Sequence, residues 1–107
     1  MSKSLFILQR LSALILAPLV LTHLWLILYA TREELTAEAI LARTQGNVGW
    51  ALFYGLFVVA VAIHAPIGLR NILREWAPRL PYINQLTLAF GVVLFALGMR
   101  AVFAVIA

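Results

Sequence analysis

Three long apolar segments limit what this chain can become more than any other feature. They cover roughly residues 11–30, 48–69 and 83–107, each near the ~20 residues that cross the hydrocarbon core of a bilayer. Their apolar residues are continuous rather than alternating, which argues against strands. The chain has 107 residues, of which 64% are hydrophobic and 11% charged. We therefore predict an all-α membrane protein, a single transmembrane domain over residues 1–107 with helices at roughly 9–30, 47–74 and 82–106.

The distribution of basic residues predicts the orientation. One side of the predicted membrane carries Lys3, Arg10, Arg70, Arg74 and Arg79, and the other carries Arg32, Arg43 and Arg100. The positive-inside rule puts the larger group in the cytoplasm. We therefore expect the N-terminus in the cytoplasm and the C-terminus outside. The net charge of +4 is accordingly attributed to topology and not to nucleic-acid binding, because there is no long basic run.

The connections and the third span carry local signals. The stretch LTAEAILAR predicts a short surface helix with Thr36 as its N-cap. Asn84, Gly91 and Gly98 recur every seven residues in the third span, which predicts a helix–helix packing seam. The chain has no cysteine, so disulfides, zinc thiolate sites and thiol nucleophiles are excluded.

Two histidines lie within the predicted spans, and no carboxylate lies there to pair with them. An ionisable side chain at membrane depth is costly, so it requires a partner or a function. His64 has Ala60 and Gly68 four residues before and after it on the same helical face. These small residues leave a flat space that suits the edge of a porphyrin. The alternative is a histidine that bonds a backbone carbonyl or a neighbouring helix, with Gly68 serving close packing.

His23 lies late in the first span, and its alternative role is that of an interfacial histidine beside Trp25. At about 1.5 Å per residue, His23 is about 20 Å from the cytoplasmic end of its span and His64 about 8–10 Å. The axial nitrogens of one haem iron are about 4 Å apart, from metal–nitrogen bonds of roughly 2 Å. The two histidines therefore cannot share one iron. If each binds a haem, the second axial ligand comes from another chain.

Arg10 and Arg70 lie at the cytoplasmic ends of the first two spans. The usual role of such residues is to snorkel to the lipid headgroups. Both are also placed to pair with haem propionates or a quinone head group near that surface. Arg70 follows His64 by six residues, about one and a half helical turns, which suits a propionate of a haem held by His64.

Two motifs carry a resemblance to a known family. RLSA, at residues 10–13, is similar to the R-x-S-G start of the cytochrome b subunit of succinate dehydrogenase. HAPIGLRNIL, at residues 64–73, resembles that family's H-x-x-x-G-x-R segment in its second span. The three-helix length and the expected topology also agree, so the resemblance covers essentially the whole chain.

The resemblance implies a membrane anchor of a succinate dehydrogenase or fumarate reductase complex in the bacterial inner membrane. Such anchors bind haem b and quinone, sit in membrane lipid beside a second transmembrane subunit, and hold flavoprotein and iron–sulfur subunits on the cytoplasmic face. They transfer electrons for a tricarboxylic acid cycle enzyme and are not catalytic alone. By the same resemblance His64 is an axial haem ligand, Arg70 lies near a propionate, and Arg10 and Ser12 lie near quinone and the propionates.

The chain also departs from the one-haem pattern. Gln9 stands where that form has a histidine, and Phe6 stands where it has a quinone-contacting serine. His23 is instead similar to the pattern of two-haem anchors, in which histidines on the first two helices serve separate haems. The resemblance thus implies one haem b, or two, shared with a partner subunit.

Two other functions remain open. One is a haem-free anchor that only docks the soluble subunits and shapes a quinone pocket. The other is a small transporter or a membrane-protein chaperone, which the lack of an intramembrane carboxylate disfavours.

Overall fold

The computed structural model describes residues 2–33 and 35–107, which form four helices and no strand. The helices are α1 (Lys3–Arg32), α2 (Ala37–Thr44), α3 (Val48–Trp76) and α4 (Ile83–Ile106). Within this part of the chain, α1, α3 and α4 are long and apolar enough to cross a membrane. The prediction of an all-α membrane protein with three spans is thus confirmed. Met1 and Glu34 lie outside the described residues.

Polar caps set where the first three helices begin. The Ser2 hydroxyl accepts a hydrogen bond from the Leu5 backbone N–H at 3.2 Å, so α1 begins at Lys3, earlier than the sequence predicts. The predicted cap Thr36 and the unpredicted cap Asn47 make the same kind of bond at the starts of α2 and α3, at 3.1 and 3.2 Å. With 30 residues, α1 is about 45 Å long. It therefore extends beyond a hydrocarbon core of about 30 Å.

Glycines bring α4 close to α3. A Cβ atom at Gly91 would lie 2.8 Å from Cγ of Pro66, and one at Gly98 would lie 2.6 Å from a methyl of Val58. Side chains at these two positions would clash, so the helices approach as closely as small residues allow. The predicted seam is confirmed, and the pairing order shows that α3 and α4 are antiparallel.

The α2 helix closes one end of the bundle by bonding the last turn of α4. The Thr44 hydroxyl donates to the Val105 carbonyl at 2.7 Å, and the Gly46 backbone N–H donates to the Ile106 carbonyl at 2.7 Å. The terminal carbonyls of a helix have no intrahelical partner. These bonds satisfy two of them and fix α2 to α4.

Both α1 and α4 pack on α3, which makes α3 the central helix of a bundle 49 Å long. The start of α1, the end of α3 and the start of α4 share one end, called here the basic end. It carries Lys3, Arg10, Arg70, Arg74 and Arg79. The opposite end, called the α2 end, carries α2 and the last turn of α4.

Candidate functional site

His64 is held by a hydrogen bond across the interface between α1 and α3. Its Nδ1 atom lies 3.2 Å from Oγ of Ser12, a side chain that is 4% exposed. The same hydroxyl lies 3.1 Å from the backbone carbonyl of Gln9, which can only accept. A hydroxyl has one proton and two lone pairs. Ser12 therefore donates to Gln9 and accepts from Nδ1–H of His64.

This bond selects one tautomer of the imidazole. With the proton on Nδ1, the lone pair of Nε2 is available to a metal or a proton. In the described residues the His64 ring makes no second hydrogen bond, so nothing in this part of the chain occupies that lone pair. Histidines that bind metals are arranged in this way, with the other ring nitrogen donating to an oxygen.

The donor set suits a haem iron better than a metal held by side chains. No group of three or more His, Cys, Asp or Glu residues comes together within residues 2–33 and 35–107. A porphyrin supplies the equatorial nitrogens itself and needs only axial ligands from protein. One imidazole with a free Nε2 therefore fits a haem and does not by itself make any other kind of metal site.

The space beside His64 differs on its two sides. A Cβ atom at Gly68 would lie 3.3 Å from Nε2 of Gln9, so the Gln9 side chain covers helix face that the sequence predicts to be open. Ala60, on the other side, helps to line a cleft of about 200 Å³ between α1 and α3. This chain thus offers one wall beside the imidazole, and a neighbouring chain would have to supply the remainder of a haem pocket.

His23 lies among aromatic side chains nearer the α2 end. Its ring meets Phe57 at 5.3 Å and Tyr54 at 6.5 Å between centroids, both edge to face. Together with Gly98 and Val102 of α4, these residues line a cleft of about 330 Å³. No hydrogen bond to another described residue holds the His23 ring.

The two histidines occupy different levels of the bundle. His64 is level with Ser12, and His23 is level with Phe57. Phe57 precedes His64 by about 10 Å of helix rise, and Ser12 precedes His23 by about 16 Å. Axial nitrogens on one iron are only about 4 Å apart, at roughly 2 Å from the metal, so this geometry does not allow one iron to be shared.

Neither predicted arginine contacts the Ser12–His64 pair. Arg10 is exposed and lies over the Phe6 ring of its own helix, at 5.2 Å from the centroid. Arg70 turns toward α4 and donates from Nε to Oδ1 of Asn84 at 2.8 Å. The structure therefore brings Ser12 and His64 together, and it places Arg10 and Arg70 in other surroundings at the basic end.

The match to a family decides the affiliation of this chain. The family model of the succinate dehydrogenase/fumarate reductase transmembrane subunit matches residues 2–106. The chain belongs to this family. Searches of curated proteins and of solved structures returned no match.

As a succinate dehydrogenase/fumarate reductase transmembrane subunit, the chain is a multi-pass membrane protein that works in a complex with other subunits. The three spans and the resemblance seen in RLSA and HAPIGLRNIL agree with this membership. The family binds haem and quinone in general, which makes the free Nε2 of His64 the first place to look for a cofactor.

Sequence reasoning missed two polar residues of this transmembrane subunit. The sequence predicts only a packing role for Asn84, but its side chain accepts hydrogen bonds from both Arg70 and Arg74. Gln9 stands out in the sequence only as a departure from the one-haem pattern, but its Oε1 is buried without a hydrogen bond to a described residue. The spacing of Arg70 and Arg74, one helical turn apart on one face, was a signal for the first. No pattern in the sequence indicates the buried position of the Gln9 side chain.

Proposed function

We propose that this subunit binds haem b through His64 and passes electrons between an iron–sulfur subunit and membrane quinone. The observation that carries the proposal is the Ser12–His64 hydrogen bond, which leaves the lone pair of Nε2 free to bind a metal. Oxidation of succinate to fumarate releases two electrons and two protons, and reduction of a quinone to quinol takes up both. A bound haem would supply one-electron redox chemistry between those two sites.

The residues of this chain have separate tasks in the proposal. His64 supplies one axial nitrogen, and Ser12 holds the ring in the required tautomer and orientation. Apolar side chains of α1 and α3 around them exclude water. Because His23 lies at another level, the second axial ligand is assigned to the second transmembrane subunit.

His23 is proposed as the axial ligand of a second haem, nearer the α2 end. Three features support this assignment: its separation from His64, its cleft of about 330 Å³, and its similarity to the two-haem pattern. The partner subunit would again supply the other ligand. If the subunit binds only one haem, the His23 ring would serve only to pack edge to face against Phe57 and Tyr54.

The orientation and the other contacts follow from charge. The basic end is assigned to the cytoplasm of a bacterium by the positive-inside rule, where flavoprotein and iron–sulfur subunits would dock. Arg10 remains a candidate for the quinone or a haem propionate, supported by its place at that end and its motif. Arg70 remains a candidate for a propionate on the same grounds, although its hydrogen bond goes to α4.

The haem-free anchor is the second candidate, and one observation favours it. A hydrogen bond between Ser12 and His64 is also what a histidine that only joins two helices would make. In that case the subunit would dock the soluble subunits and shape a quinone pocket. The histidine would then serve packing.

Pyridine haemochrome analysis of the purified complex, normalised to flavin, tests both candidates. We expect two haems b per flavin in the wild type, and one in each of the variants His64→Ala and His23→Ala. One haem in the wild type, lost only in His64→Ala, would leave His64 as the ligand and remove His23. A wild-type complex with flavin and no haem would refute the haem proposal in favour of the anchor.

A further inference from the structure

A second polar cluster lies where α3 meets α4 at the basic end, away from the interface that holds His64. Arg70 donates from Nε to Oδ1 of Asn84 at 2.8 Å, and Arg74 donates from Nη2 to the same oxygen at 3.1 Å. The two guanidinium groups are thus brought together at one atom. That atom belongs to a neutral amide, so it orders the two cations without neutralising them.

No described carboxylate forms an ion pair with this cluster, not even Glu75, which follows Arg74 in the sequence. Neither Arg70 nor Arg74 forms an ion pair with a described residue, and Nη1 of Arg70 is buried without a hydrogen bond. Like charges repel more strongly near a low-dielectric interior than in water. An anion with oxygen acceptors would remove the repulsion and accept hydrogen bonds from the exposed guanidinium of Arg74.

The cluster lies between two clefts, one with apolar walls and the other more polar. On one side lies a cleft of about 320 Å³ with apolar walls, among them Leu5, Ile67 and Leu88. On the other lies a more polar cleft of about 440 Å³, to which Arg74 and Gln85 contribute. Asn84 lines both clefts. A ligand that fits both would carry a charged head and an apolar chain.

We propose that Arg70, Arg74 and Asn84 bind the phosphate of an anionic phospholipid, with an acyl chain in the apolar cleft. Basic pockets between membrane helices on the cytoplasmic side recognise anionic headgroups in this way. A soluble phosphate would use the charges and leave the apolar cleft unfilled. The proposal assigns the Arg70 guanidinium to the phosphate in place of a haem propionate, because that guanidinium points toward Asn84 of α4.

Equilibrium binding to the delipidated complex in detergent tests the site. The probes are phosphatidylglycerol and phosphatidylcholine with the same acyl chains, and glycerol phosphate as a soluble competitor. We expect the wild type to prefer phosphatidylglycerol. Arg74→Gln should weaken phosphatidylglycerol binding about fivefold, the effect of one basic residue near a charged surface. Its binding of phosphatidylcholine should change less, because the choline cation already offsets the charge of that phosphate.

The matched control is Arg79→Gln, an exposed arginine at the same end that should leave phosphatidylglycerol binding unchanged. Arg74→Lys keeps the charge and should retain most of the binding, which covers the case in which Arg74→Gln fails to assemble. Four results would overturn the proposal. They are equal binding of the two lipids, equal weakening by Arg74→Gln and Arg79→Gln, competition by glycerol phosphate, or loss of haem instead of lipid in Arg74→Gln.

Discussion

Oγ of Ser12 accepts a hydrogen bond from Nδ1 of His64 at 3.2 Å, while its own proton goes to the carbonyl of Gln9. The resemblance to the family assigns Ser12 to the surroundings of quinone and propionates. Its contact in this chain is with the histidine itself. Ser12 is therefore best described as a positioning residue, whose effect on a bound metal would pass through the imidazole ring.

If the subunit binds haem through His64 as proposed, Ser12→Ala should weaken haem retention about 10–100-fold, the usual effect of removing such a partner. A hydrogen bond from Nδ1–H also makes the imidazole a better electron donor, which stabilises ferric iron. Its loss should therefore raise the haem midpoint potential. Haem per flavin and a redox titration of the complex measure the two effects.

Ser12→Thr keeps the hydroxyl and should restore both properties. Ser4→Ala makes the same substitution at an exposed position of the same helix and should change neither. Wild-type haem content and potential in Ser12→Ala would show that the hydroxyl has no part in holding the ligand.

Gly98→Ala should destabilise the subunit by about 1–3 kcal/mol, the usual cost of overpacking. The new Cβ atom would lie 2.6 and 2.9 Å from the two methyls of Val58 and 3.3 Å from its Cβ, so no rotation of that side chain avoids it. Gly55→Ala is the control, because nothing lies within 4 Å of its Cβ position. Thermal unfolding of the complex measures both, and Val58→Ala added to Gly98→Ala should recover stability. Equal effects of Gly98→Ala and Gly55→Ala would argue against close packing of α3 and α4.

Thr44→Val should cost about 1–3 kcal/mol, because it leaves the carbonyl of Val105 without its partner from Thr44. Thr44 is 1% exposed, so water cannot easily replace the hydroxyl. Hydrogen exchange at residues 105–107 should become faster, since the last turn of α4 loses its attachment to α2. Thr31→Val is the control, because the Thr31 hydroxyl is exposed and bonds only within its own helix. Unchanged exchange in Thr44→Val would contradict the role of this contact.

Asn84→Asp should stabilise the subunit by about 0.5–1 kcal/mol, a modest gain because the site is exposed. The new carboxylate would accept the same hydrogen bonds from Arg70 and Arg74 and would also neutralise charge. The same substitution should weaken phosphatidylglycerol binding, because the aspartate carboxylate would take the place of the lipid phosphate beside the two arginines. Gln85→Glu adds the same charge one residue away and serves as the control. A stability gain with full lipid binding would separate the two effects and count against a shared site.

Much of the fold could be predicted from the sequence because its determinants are local. Continuous apolar runs set the three spans, Thr36 set the start of α2, and the spacing of Gly91 and Gly98 set the seam. The sequence predicts a start of α1 near residue 9, because hydropathy falls toward Lys3, whereas the Ser2 cap begins the helix at Lys3. Hydropathy reports burial in lipid, and a helix can continue past the lipid.

The partners of the site residues could not be predicted in the same way. Which residue of α1 meets His64 depends on the register and rotation of two helices, and a shift of one residue turns a helix by about 100°. The contact of His64 with Ser12 and the contact of Gly68 with Gln9 therefore depend on how α1 and α3 are packed, which the sequence does not specify. Asn84 is a similar case, since its two arginines approach it from another helix.

The glycine seam also bears on the order in which the subunit is put together. Close approach of α3 and α4 depends on backbone shape at Gly91 and Gly98 and on no cofactor. These two helices can therefore associate as soon as both are inserted. α1 packs on α3 through a separate contact, in which Ser12 meets His64, so the two interfaces of α3 can form independently.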